Sequence, residues 1–140
     1  MKKKLLKVGA KLGKGQPPFL WSIGILDVAF AEAKEFLTDS QYKHLRLQVQ
    51  ELARCPEPTT SETVDVRPVE TFHELRDKGG ILGNLNVRLF FGVQKDDIRA
   101  IVILGVINKK TDGKTPQGTK TLMKRRWRNY QNGDYGRLPL

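Results

Sequence analysis

The chain of 140 residues is the length of one ordinary domain, and its 39% hydrophobic and 29% charged residues match a folded soluble protein rather than a disordered or membrane chain. One cysteine, Cys55, excludes an internal disulfide framework and points to a reducing, cytoplasmic compartment. The 25 Lys and Arg residues against 15 Asp and Glu give +10, an imbalance that favours polyanionic partners such as nucleic acid.

Residues 1–17 carry six lysines and no apolar periodicity, which predicts a flexible basic arm. Lys7, Lys11 and Lys14 interrupt any apolar run there, and the stretch from Phe19 to Leu26 is far shorter than the roughly 18–20 residues of a membrane span. Neither export nor membrane insertion is expected. A single domain is expected over 18–130, followed by a tail over 131–140.

Phe19 to Ile25 is short, apolar and bounded by Pro18 and Asp27, as in a buried strand. Asp27 is a candidate cap for a helix whose buried stripe is Ala29, Ala33, Phe36 and Leu37. Thr38-Asp39-Ser40 breaks that helix and starts a second, with Tyr42, Leu45, Val49 and Leu52 at helical spacing and Pro56 and Pro58 closing it. Glu57 to Val66 is a polar loop, and Arg67 to Leu75 is the next strand.

Gly79-Gly80 and Gly83-Asn84 supply turns before an alternating strand, Asn86 to Val93. Val87, Leu89, Phe91 and Val93 share one face, and Arg88, Phe90 and Gly92 the other. After the polar turn at 94–97, the apolar run from Ile98 to Ile107 fits a central strand covered on both sides. A final helix is expected from about Gln117 to Tyr130. The fold class is therefore α+β: an N-terminal strand and helical hairpin packed on a mostly antiparallel small sheet, with a C-terminal helix. The hairpin covers one sheet face, and the other is expected to stay partly open and to bind ligand.

Most of the excess charge lies late in the chain. Lys109, Lys110, Lys114, Lys120, Lys124, Arg125, Arg126 and Arg128 are opposed over that stretch by Asp112 alone. Without acids at i±4 these cations repel one another, so the stretch reads as a surface for an anion rather than as a self-neutralised helix face. No phosphate-binding glycine loop with Lys-Ser/Thr occurs, and Cys55, His44 and His73 lack metal-ligand spacing, so neither metal nor cofactor is expected.

The segments His73-Glu74-Leu75-Arg76, Asn86-Val87-Arg88-Leu89-Phe90-Phe91, Ile103 to Lys110 with its terminal lysine pair, and Thr115-Pro116 leading into a basic helix occur in that order. In order and spacing this resembles the RelE/ParE superfamily of type II toxin–antitoxin toxins, within it the HigB-like, phage-derived branch, over about Trp21 to Tyr130. The resemblance implies a cognate antitoxin and, in many members, metal-independent cleavage of mRNA on the ribosome; in the ParE-like members it implies inhibition of DNA gyrase without chemistry. A non-catalytic relative that only binds RNA or a partner is the further alternative.

In such cleavage a ribose 2′-OH attacks the adjacent phosphorus, which calls for cations around the phosphorane and a proton shuttle. By the resemblance, Arg88, Lys109, Lys110, Arg126 and Tyr130 are the candidate catalytic residues. Arg126 and Tyr130 share a helix face. His73 and Glu74 are candidate general bases, and because they alternate on a strand only one of them reaches the open side. Lys114, Lys120, Lys124, Arg125 and Arg128 are candidate RNA-binding residues. Trp127 is expected to anchor the helix to the core, and Asp134-Tyr135 resembles the acidic-aromatic end of some HigB-like toxins. The lysine-rich arm, the loop at 57–66 and the tail are additions to the family pattern.

Overall fold

The computed structural model of the chain describes residues 5–7, 19–97, 99–110 and 113–134. Six strands form one sheet: β1 (Leu5–Lys7), β2 (Ser22–Leu26), β3 (Val66–Val69), β4 (Phe72–Lys78), β5 (Asn86–Gln94) and β6 (Ala100–Asn108). Their spatial order is β1-β2-β6-β5-β4-β3, with β2 parallel to β6 and every other pair antiparallel. Three α-helices among the described residues complete the α+β fold: α1 (Asp27–Phe36), α2 (Asp39–Ala53) and α3 (Gln117–Gln131).

The sequence explains most of these elements directly. Thr38 opens α2 through a reciprocal capping box, its hydroxyl accepting from the Gln41 backbone while the Gln41 side chain accepts from the Thr38 backbone. Leu45, Val49 and Leu52 form the buried stripe of α2, with Tyr42 half-buried at its end. Asp27 lies within the first turn of α1 rather than at its cap, which is Leu26. The apolar run of β6 is central, between β2 and β5.

Three expectations change. Leu5–Lys7, read as part of a flexible arm, form an edge strand against β2; the remainder of that arm lies outside the described residues. The strand expected over Arg67 to Leu75 is two strands, because the chain reverses at Glu70-Thr71 with Val69 opposite Phe72. The second sheet face is not open. α3 packs over β5 and β6, with Trp127 buried against Gly92 and Met123 against Gly105.

Two glycines permit that approach. A Cβ on Gly92 would stand 2.5 Å from the Trp127 ring, and one on Gly105 would overlap Met123. A larger side chain at Gly92 would push the rigid Trp127 ring and α3 off the sheet, and one at Gly105 would force the ends of Met123 and Arg126 to move. The lengths also agree: from Arg88 to Gln94 the strand rises roughly 20 Å, as does α3 from Gln117 to Tyr130.

Beyond Ile103 the flank of β6 that β2 would cover meets no strand among the described residues, since β2 pairs only as far as that residue. Backbone groups there still need partners. Glu32 of α1 supplies one, accepting from the Val106 N–H at 3.2 Å. Arg126 supplies another, donating to the Leu104 carbonyl at 2.9 Å.

Candidate nucleic-acid interface

Arg76 stands directly opposite Arg88 across β4 and β5, on the face that α3 covers. Two guanidiniums in cross-strand register repel unless an anion separates them, and Glu74, two residues from Arg76 on the same face, is that anion. Arg76 Nε donates to Glu74 Oε2, and Arg88 Nη1 lies 3.7 Å from the same oxygen. The Thr115 hydroxyl donates to Glu74 Oε1. Arg88 then reaches the loop after β6, donating to Thr115 Oγ1 at 3.1 Å and to the Gly113 carbonyl at 2.6 Å.

Arg88 is 1% exposed and Glu74 0%. The strand arginine expected on an open face is therefore inside the protein, where its fork fixes the loop that carries the cations. Glu74 is the one of the two candidate bases that faces α3, and it too lies in the buried network. Arg76, partly exposed, and Thr115, buried, are the members that the sequence motifs contain but to which no role was given. The signal for Arg76 was present in the alternation of Glu74, Arg76 and Arg88 onto one face.

His73 is across the sheet from this network, stacked on Phe91 with centroids 5.9 Å apart. Burial pushes its pKa below the ordinary imidazole value, and nearby Lys95 adds to this while Glu57 opposes it. As pH falls through about 6.5 the unfolded chain takes up a proton that the folded one refuses, so stability drops below that pH and is unaffected above it. Urea unfolding midpoints of His73→Gln should lose that part of the acid sensitivity between about pH 7 and pH 5.5; an unchanged pH dependence would contradict a lowered pKa for this half-buried ring.

The remaining candidates do not form one cluster. Tyr130 donates its hydroxyl to Gln94 Oε1 and stacks on Trp127 at 5.6 Å, at the opposite end of β5 from Arg88. Arg126 is buried and turned toward α1, with paired donations to Glu32, both at 2.9 Å. Lys109 and Lys110 stay beside the Arg88 end, where the Lys109 N–H donates to the Asn86 carbonyl at 2.8 Å. Lys110 lines a 490 Å³ hollow with Lys78, Asn84 and Asn86.

The cations of the last third do form a surface. Lys110, Lys114, Lys124, Arg125 and Arg128 are exposed and Lys120 is half-buried. Lys124 pairs with Glu70 at 3.2 Å; among the described residues Lys110, Lys114, Lys120, Arg125 and Arg128 have no acidic partner. A basic strip thus runs from the end of β6 through the loop and along the outer side of α3. Tyr135 lies outside the described residues, and Asp134 closes the helix end by donating its N–H to the Asn129 carbonyl.

Among the described residues no group of three His, Cys, Asp or Glu side chains is arranged to hold a metal ion, and no helix is long and apolar enough to cross a membrane. No protein-family model and no curated protein matches the sequence.

Proposed function

We propose that the chain is a cytoplasmic toxin of the RelE/ParE kind, an endoribonuclease that cleaves mRNA on the ribosome without a metal and is silenced by a cognate antitoxin covering its basic surface. The observation that carries this reading is the basic strip, which begins at the Lys109–Lys110 pair where β6 ends and is anchored from beneath by Arg88. The order of elements, strand, helical hairpin, antiparallel meander and terminal helix, supports it as well.

In the proposed reaction the 2′-oxygen bonds to phosphorus and the P–O5′ bond breaks, leaving a cyclic phosphate and a 5′-hydroxyl. Water takes the proton from O2′ and returns one to O5′. Charge on the phosphorane is met by Lys109 and Lys110, which stand at the end of β6 where the Lys109 backbone is tied to β5. Arg88 is a positioning residue in this scheme, acting through Gly113 and Thr115, while the strip from Lys114 to Arg128 binds flanking phosphates.

Primer extension on translating ribosomes tests this. The purified chain should create new 5′ ends, and Lys109→Ala/Lys110→Ala should reduce them by about 10²–10³-fold while unfolding within about 0.5 kcal/mol of wild type. No new ends together with a block of gyrase supercoiling would replace the ribonuclease reading with the ParE-like one.

A further inference from the structure

The turn between β3 and β4 contains only Glu70 and Thr71, and Glu70 adopts φ 53°. Two-residue hairpins that need this left-handed backbone normally use Gly, Asn or Asp, because a longer side chain is strained there. Glu70 nonetheless occupies the position, and its carboxylate is held 3.2 Å from Lys124 of α3.

That ion pair bridges a cleft of about 290 Å³ between the turn and the helix, lined by Glu70, Gln117, Thr121, Lys124, Arg125 and Arg128. Positions 117, 121, 124, 125 and 128 recur at helical spacing on one side of α3. The cleft thus gathers three cations and one acid, and among the described residues Arg125 and Arg128 have no acidic partner. Arginine forks match phosphate oxygens in geometry, and Gln117 and Thr121 add neutral hydrogen-bonding groups beside them.

We infer that this cleft is a phosphate-binding subsite for the backbone of single-stranded RNA, and that Glu70 is a built-in substitute for the phosphate, displaced from Lys124 when RNA enters. An exposed ion pair adds little stability and is screened by salt, so a phosphate with two further arginines to meet can exchange with it readily. The cleft lies near the Phe72 end of β4, whereas Lys110 lies by Lys78 at the other end. Six residues of strand separate them, roughly 20 Å. Several nucleotides would span that distance, so the cleft sets affinity and register rather than chemistry. The inference rests on the proposed function only in taking RNA as the partner.

The test needs neither ribosomes nor cleavage. Fluorescence anisotropy of the full chain with a labelled unstructured oligouridine, between roughly 50 and 200 mM KCl, gives the dependence of log affinity on log salt. Each phosphate neutralised contributes about 0.7 to that slope for single strands, so Arg125→Ala/Arg128→Ala, which strips the one subsite of both arginines, should flatten it by about 0.7. Glu70→Gln should tighten binding by roughly two- to fivefold, as expected from removing an exposed competing charge.

An unchanged slope in the double variant, or unchanged or weaker binding by Glu70→Gln, overturns the subsite whatever happens on ribosomes. Oligoglutamate is the control probe. If its binding responds to these substitutions and that of oligouridine does not, the cleft docks an acidic protein segment and the RNA assignment fails. Flattened slopes without any ribosomal cleavage would instead retain the subsite and remove the nuclease reading.

Discussion

Arg88→Ala should lower the unfolding free energy by about 3–5 kcal/mol, because it leaves a void where a fully buried side chain stood, removes the donor to Thr115 and the Gly113 carbonyl, and leaves Glu74 with one guanidinium instead of two. Glu74 is 0% exposed, and its other partners are the Arg76 guanidinium and the Thr115 hydroxyl. Against a typical domain stability of about 5–15 kcal/mol this is a large fraction. Urea unfolding checks it, and a second variant separates charge from volume. Glu74→Leu/Arg88→Met removes both charges at similar size and should lose less than Arg88→Ala alone. Arg88→Lys should fall between, since an ammonium keeps the charge but cannot span Thr115 and Gly113 as the fork does. An Arg88→Ala protein with the wild-type midpoint and no cleavage would show that Arg88 works on substrate rather than on the loop.

The elements that carry a strong local signal were legible in the sequence. β5 alternates, β6 is apolar throughout its centre, Thr38 and Gln41 write out a capping box, and α3 runs from Gln117 as its Thr-Pro entry suggests. The β3–β4 hairpin was not, because Glu70-Thr71 lacks the Gly or Asn that normally marks a two-residue turn. The closure of the second sheet face was encoded only indirectly. Gly92 and Gly105 interrupt otherwise apolar strands at two places where α3 side chains press on the sheet, and a glycine in a strand gains that meaning only once its neighbour is known.

The charged residues follow the same division. The pattern put Arg88 on the face opposite Leu89, correctly, but whether that face meets water depends on α3 and on the loop that ends at Thr115. Register across β4 and β5 then brings Arg76 opposite Arg88, which no single segment reveals. The cations along α3 look alike in sequence, yet one of them is turned inward. Arg126 finds Glu32, 94 residues away in the chain, while its neighbours Arg125 and Arg128 remain at the surface.

That contrast gives the second large effect. Arg126→Ala should destabilise the fold by about 2–4 kcal/mol, somewhat below the figure for a fully enclosed pair because the Glu32 side chain is 26% exposed. The loss has two sources: Glu32 gives up both guanidinium contacts, and the Leu104 carbonyl on the uncovered flank of β6 gives up its donor. Glu32→Ala should behave almost as badly by also releasing the Val106 N–H, and the double variant should lose much less than the sum of the two. Additive losses in urea unfolding would mean that the two side chains do not act as one clamp. Measured where it is still folded, Arg126→Ala should bind oligouridine with an unchanged salt slope, because its charge faces α1 and not the basic strip. Arg125→Ala should do the reverse, keeping the unfolding midpoint and flattening the slope by less than the roughly 0.7 of Arg125→Ala/Arg128→Ala, because Arg128 and Lys124 still meet the phosphate. Two adjacent arginines on one helix are thereby assigned to different tasks, one joining α3 to the edge of the sheet and the other meeting the anion outside.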